Sequence, residues 1–194
     1  CSLDCKSFTS EAVSDLCSQG CLVEALQCLR DLLRNPLPVS PNLFYCVLLG
    51  CIEKRDIHLG RETYCLIVQG GLDTDMFLGS HVIRMFASCG SLVETNQAFQ
   101  KLPRKSVFTW SAIILAHANL GHGTSALELF SHMQTVNLKP DSYLFVAVLK
   151  ACTSNTALIS GKMIHSYIIV CGYEHVVHIG STLVDMYVKC GSLK

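Results

Sequence analysis

Charge is scarce in this sequence. Only 15% of its 194 residues are Asp, Glu, Lys or Arg, and the 15 basic side chains balance the 15 acidic ones. The balance excludes a globally basic nucleic-acid binder, although a local patch is compatible with it. Half of the residues are apolar, which excludes the charged, aliphatic-poor profile of a disordered chain. No apolar run approaches the roughly 18 to 20 residues needed to cross a bilayer, so no membrane partner is expected. The opening CSLDCKSFTS lacks a basic end followed by an apolar stretch and does not resemble a signal peptide. The chain has no initial Met, and its last residues, CGSLK, stop inside a phrase used earlier, so an excerpt of a longer protein is expected.

Chemical signatures are also missing. There are twelve cysteines but no Cys-x-x-Cys, which argues against zinc ribbons and thioredoxin-like sites. Several cysteines fall in apolar helical patterns, where Cys behaves as a small hydrophobe; mostly reduced, buried thiols are expected. No Gly-x-x-x-x-Gly-Lys-Ser/Thr phosphate loop and no Gly-x-Ser-x-Gly turn occurs. Neither half of a zinc deaminase signature, His-x-Glu or Pro-Cys-x-x-Cys, is present. The expectation is a segment without catalytic residues, cofactor, metal or small-molecule substrate. Of the eight histidines only His175 and His178 lie close together, with no third ligand in view.

What is present is a repeat. MFASCGSL, Met85 to Leu92, returns as MYVKCGSL, Met186 to Leu193, 101 residues later. Sliding the whole chain by 101 residues matches about 20 of 88 paired positions without a gap. Gly60 meets Gly161, Cys51 meets Cys152, and Leu43-Phe44 meets Leu144-Phe145. The matches are mostly glycine or apolar, residue types that set turns and packing, so the shared element is architecture. A metal site would need converging ligands, and copies one unit apart cannot converge. Cys89 and Cys190 are instead expected at close helix crossings, with Gly90 supplying a left-handed turn and Ser91 capping the next helix.

Proline and glycine punctuation divides the chain into segments 6–40, 41–75, 76–106, 107–141, 142–176 and 177–194, the last incomplete. Each reads as two helices. In 107–141, Trp110, Ile113, Ile114 and His117 keep helical spacing, Leu120-Gly121-His122 breaks it, and Ala126, Leu127, Phe130 and Met133 resume it. In 142–176, Leu144, Phe145, Val148, Leu149 and Cys152 make one stripe, and Leu158, Gly161, Ile164 and Ile168 the other. Neither stripe can stand alone, so each hairpin must bury its face on the next; the fold expected is an all-α solenoid of antiparallel helix pairs. The last segment has no second helix, so Leu183, Met186 and Tyr187 are expected to be partly uncovered.

The cycle of 35, 35 and 31 residues, with TLVDMYVKCGSLK at 182–194, TWSAIILAHANLGHGTSALELFSHMQTVNLKPDS at 109–142 and FVAVLKACTSNTALISGKMIHSYIIVCGY at 145–173, resembles pentatricopeptide repeat proteins. More narrowly it resembles the plant subclass that cycles long, short and standard repeats. Segment 6–40 departs most: it has Ser-Phe-Thr where the later copy has Phe-Thr-Trp, and Pro36 and Pro38 reshape its end.

The resemblance implies a right-handed superhelix that binds single-stranded RNA in a mitochondrion or chloroplast, in RNA processing such as C-to-U editing, alongside RNA-editing factors. It implies that base choice rests on one residue early in each first helix and on the last residue of the repeat. Those places hold Ser10 with Ser40, Ser80 with Ser106, Ser111 with Asp141, and Ser181 without its partner. In the long repeats they hold Tyr45 with Asp75 and Val146 with Val176. A carboxylate accepts from guanine N1–H and N2–H, so Ser111 with Asp141 favours guanine; by family analogy the Ser–Ser pairs lean to adenine. Phe77, Phe108 and His178 occupy the place where the family holds a base between flanking side chains. Asp141 is open to a second reading as a plain N-cap, and Phe77 and Phe108 to one as core. Lys101, Arg104 and Lys105 are the tight basic cluster, suited to phosphate or to a solvated loop. The rival class is a protein–protein scaffold of tetratricopeptide-type hairpins, whose uniform period of 34 does not match segments of 31.

Overall fold

The structure, a computed structural model, describes residues 10–34 and 39–191. Among the described residues there are eleven helices and no strand. The turns owe their shape to a few backbone positions. Gly90 follows α5 with φ +80°, its N–H donating to the Ala87 carbonyl while the Ser91 N–H reaches back to Phe86. This is the paired-bond helix ending that glycine makes cheap. The same two bonds close the turns at Gly20, Gly71, Gly121 and Gly172. Within the long hairpins the turn residue is not glycine: Arg55 and Thr156 hold φ 51° and 50°. Ser91 stands at the N-cap as expected, but its hydroxyl makes no capping bond. Pro36 and Pro38 lie outside the described residues.

The chain divides into two compact units, Cys1–Arg104 and Lys105–Lys194. The first contains α1 (Ser10–Ser18), α2 (Leu22–Leu33), α3 (Pro41–Lys54), α4 (Ile57–Gln69), α5 (Met76–Ser88) and α6 (Leu92–Lys101). They pair as hairpins, and the first helices α1, α3 and α5 pack side by side, with α2 against α4 behind them. Leu22, Leu26, Leu29, Phe44, Val47, Leu48, Ile83 and Met85 are buried between them. Gly60 on α4 lets Met85 of α5 approach where a Cβ would collide with its sulfur. Ion pairs tie the second helices together at their surface: Arg30 with Glu62 at 3.4 Å and Arg61 with Glu94 at 2.7 Å. Such exposed pairs contribute little each.

The second unit contains α7 (Val107–Asn119), α8 (Gly123–Thr135), α9 (Ser142–Ser154), α10 (Leu158–Val170) and α11 (Val177–Lys189). Here α7, α9 and α11 line up in turn, and α9 also packs on α8 and α10. Phe145 is the hub of the core, its ring 5.5 Å from Tyr173, 5.9 Å from Tyr167 and 6.3 Å from Phe130. Gly161 admits Met186 as Gly60 admits Met85.

Two expectations need correction. Leu183 and Met186 are not uncovered: they are 8% and 0% exposed, because α11 presents them to the preceding hairpin. Tyr187 is half-buried, its hydroxyl 2.9 Å from His165 Nδ1. The open face of α11 is the opposite one, with Val177, Val184 and Val188. The cysteines are free thiols among the described residues, but only Cys51 and Cys152 are fully buried, and Cys65 is exposed. Burial pushes the Cys51 thiol up to about 11 and the Cys152 thiol up to about 12. Cys190 is half-buried, its thiol donating to the Cys152 carbonyl at 3.7 Å.

Candidate nucleic-acid interface

Each first helix after α1 begins one residue past a similar position. Ser40, Asp75, Ser106, Asp141 and Val176 are the N-caps of α3, α5, α7, α9 and α11. Three use their side chains. Asp75 accepts from the Leu78 N–H and Asp141 from the Leu144 N–H, both at 2.8 Å. Ser106 accepts from the Thr109 N–H at 3.2 Å. In both Asp caps the bond is made by Oδ1, leaving Oδ2 without a capping role. The exposed Ser40 makes no side-chain cap bond. Capping and base contact therefore do not compete for the same oxygen of Asp141.

The early serines differ from one another. Ser80 donates to the Met76 and Phe77 carbonyls at 3.0 and 3.1 Å, and Ser181 to the His178 carbonyl at 3.1 Å. A hydroxyl bonded back to its own helix keeps lone pairs but not its proton for a ligand. Ser111 is different: it is 7% exposed and its Oγ has no hydrogen-bond partner. A buried orphan hydroxyl costs roughly 1 to 3 kcal/mol, and natural structures carry few of them. Ser10 opens α1, and its side chain is outside the described residues.

Aromatic side chains sit one residue into α5, α7, α9 and α11. Phe108 is 73% exposed and Phe77 44%, so neither belongs to the core. His178 is exposed and faces a ring the sequence reasoning passed over, Tyr143, at 5.9 Å and 26° between planes. Tyr143 is 73% exposed. Its register was the available signal, since it follows its helix's N-cap by two residues just as Phe77, Phe108 and His178 follow theirs. In the first unit Phe77 meets Tyr45 at 5.1 Å and His81 at 4.9 Å. Burial, and secondarily Arg84, holds the His81 imidazole below its ordinary range.

The remaining candidates carry less. Lys101 lies over the Tyr64 ring at 5.3 Å. His175 is solvent-exposed, its Nε2 3.7 Å from Glu174 Oε1. Among the described residues no three His, Cys, Asp or Glu side chains gather as a metal site, and no helix is long and apolar enough to cross a membrane.

Stacked helix hairpins, with a polar cap and an exposed ring at the start of successive first helices, define a helical-repeat protein of the α-solenoid class. The comparisons with known proteins make the class specific. Residues 108–138 match the family model described as PPR repeat. A chloroplastic pentatricopeptide repeat-containing protein of Arabidopsis thaliana is 38% identical over 153 residues, covering 78% of this chain and 25% of its own length. A mitochondrial one from the same plant is 28% identical over 88% of this chain and 17% of its own length. The chain belongs to the pentatricopeptide repeat family, and it spans a quarter or less of these two relatives. Among solved structures, the pentatricopeptide repeat protein PPR10 in complex with an 18-nt PSAJ RNA element superposes with a TM-score of 0.58 at 15% identity, over 95% of this chain and 32% of that one. That likeness establishes the fold.

Proposed function

We propose that this chain is a stretch of a chloroplast or mitochondrial RNA-binding protein, and that it selects single-stranded RNA by sequence. The observation that carries this reading is the row of exposed rings two residues past successive N-caps, Phe77, Phe108 and Tyr143, each a face on which a base can stack. Among the described residues the Ser111 hydroxyl has no partner, and it is closed off from solvent, so a base reaches it only where its cover is displaced on binding. The relatives' organelle locations and the RNA held by the structural neighbour support the same reading. The repeats in this proposal are 6–40, 41–75, 76–106, 107–141, 142–176 and 177–194, in the long, short and standard cycle. Ser111 with Asp141 takes guanine, and Ser80 with Ser106 takes adenine. Phe108 and His178 stack on bases, each worth roughly 1 to 3 kcal/mol, whereas Phe77, the third ring in this register, lies against Tyr45 and His81. The chain guides RNA processing, including C-to-U editing, with the chemistry done by editing factors.

The test is binding of fluorescent single-stranded RNA by wild type and Asp141→Asn. Asn keeps the N-cap but turns a pure acceptor into a donor–acceptor, so the preferred base opposite repeat 107–141 moves from guanine toward a pyrimidine. Binding weakens as salt rises, through counterion release. An unchanged base preference leaves Asp141 as a cap alone, and salt-independent or absent binding refutes the RNA reading. One observation favours a protein partner instead. The surface of α10 shows Ile159, Met163 and Val170 at 70 to 80% exposure, and salt-independent capture of a protein by this face is what a scaffold would give.

A further inference from the structure

The two long repeats share Leu43-Phe44, Val47-Leu48 and Cys51 with their copies but differ in the rings around them. Counting 101 residues forward, Tyr45 becomes Val146, Phe77 becomes His178, His81 becomes Thr182 and Asn42 becomes Tyr143. The consequence is visible at the junction of each long repeat with the next first helix.

In the first unit the junction between α3 and α5 is shut. The Tyr45 ring lies 5.1 Å from Phe77 and 4.5 Å from His81, tilted 58° and 57°, and Phe77 and His81 are 4.9 Å apart. The three rings cover one another. Phe77 keeps 44% exposure where Phe108 and Tyr143 keep 73%, and His81 Nδ1 is closed off from solvent without a hydrogen-bond partner. In the second unit the equivalent junction, between α9 and α11, is open. Val146 brings no ring, and Tyr143 and His178 face each other nearly parallel at 5.9 Å, the tyrosine mostly in solvent.

We propose that Tyr45 is a plug: it docks on Phe77 and His81, excludes a nucleobase from the α3–α5 junction, and makes the first unit skip a base that the second unit accepts on Tyr143 and His178. The inference rests on the RNA reading above. Its physical basis is an exchange. A base that stacks on Phe77 must first lift Tyr45 off two rings, and ring–ring and base–ring contacts are similar in strength. The exchange gains little, so the base stays out. Tyr143 is 73% exposed with His178 beside it, so a base gains a ring face there without first lifting a tyrosine off two rings. Tyr45 thus sets which repeats count nucleotides, although it reads none.

The experiment uses single-stranded RNA with one 2-aminopurine walked along the sequence, whose fluorescence is quenched where it stacks on a ring. Wild type is expected to quench at a position lost in Tyr143→Asn, with no position that depends on Phe77. Tyr45→Val, which copies the second unit, should add a quenched position and tighten binding about fivefold. Tyr45→Phe keeps the rings and should leave binding as in wild type. The reverse change, Val146→Tyr, should close the second junction and weaken binding about fivefold, which keeps the proposal testable if Tyr45→Val does not fold. Unchanged or weaker binding by folded Tyr45→Val, with no new quenched position, overturns the plug while the RNA reading stands. Absence of salt-sensitive RNA binding by wild type overturns both.

Discussion

Ser111 shows how a single atom separates two accounts of one position. A first-turn serine is ordinary when its hydroxyl bonds back to the helix, as Ser80 and Ser181 do. Ser111 does not, and it is buried. Ser111→Ala removes an unsatisfied polar group and breaks no bond. A structural serine would make that change neutral or costly. The expected result is a protein more stable by up to about 1 kcal/mol in urea unfolding that binds RNA about tenfold more weakly. Loss of stability would mean that the hydroxyl has a partner in the folded chain, and unchanged RNA affinity would remove Ser111 from the interface. Asp141 makes the complementary point. Its cap bond uses one carboxylate oxygen, so the plain N-cap reading is correct as far as it goes, and base contact remains a separate question answered by Asp141→Asn. The serine and aspartate types were legible in the sequence from repeat register. Which hydroxyl lacked a partner was not, because it depends on the rotamer and on what covers it.

Helix starts and the glycine turns were the most legible elements, because glycine and the caps mark them chemically. Gly90 and its counterparts need positive φ, and only glycine takes it freely. The turns inside the long hairpins were harder. Arg55 and Thr156 hold the same left-handed conformation, yet neither residue type announces it, since L side chains pay about 1 to 2 kcal/mol there. The two paired backbone bonds at each turn, Asp56 N–H to Cys51 and Ala157 N–H to Cys152 among them, hold the conformation against that cost. Thr156 is exposed and β-branched, the least suited type for this region. Thr156→Gly should therefore raise the urea midpoint, stabilising the chain by about 1 kcal/mol, with helix content unchanged by circular dichroism. A lowered midpoint would mean that the Thr156 side chain contributes more to the turn than its backbone costs. The uncovered residues expected on α11 failed for a related reason. Periodicity identified Leu183 and Met186 as apolar, but it could not say that both are buried, with Gly161 of the preceding hairpin admitting Met186.

At the scale of the whole molecule, the side chains that titrate near neutrality are the histidines. Burial holds both His81 and His117 below the ordinary imidazole value of 6.5, with Arg84 and His122 respectively adding to the shift. The unfolded chain takes up these protons as pH falls through 6.5, while the folded chain still resists them. The stability these neutral rings contribute is complete above pH 6.5 and is lost progressively as pH falls below it toward the folded values. Glu94 does not mask this, since Arg61 holds its carboxyl below the ordinary 4.5. Urea midpoints should thus fall between pH 7.5 and pH 5.5, and His81→Phe should flatten part of that slope, because a ring of similar shape without a proton site replaces the imidazole. The same substitution keeps three rings at the α3–α5 junction, so RNA binding at pH 7.5 should be unaffected. A midpoint that is level from pH 7.5 to 5.5 would show that the two rings ionise equally in folded and unfolded chains, and that the closure around His81 does not persist in solution.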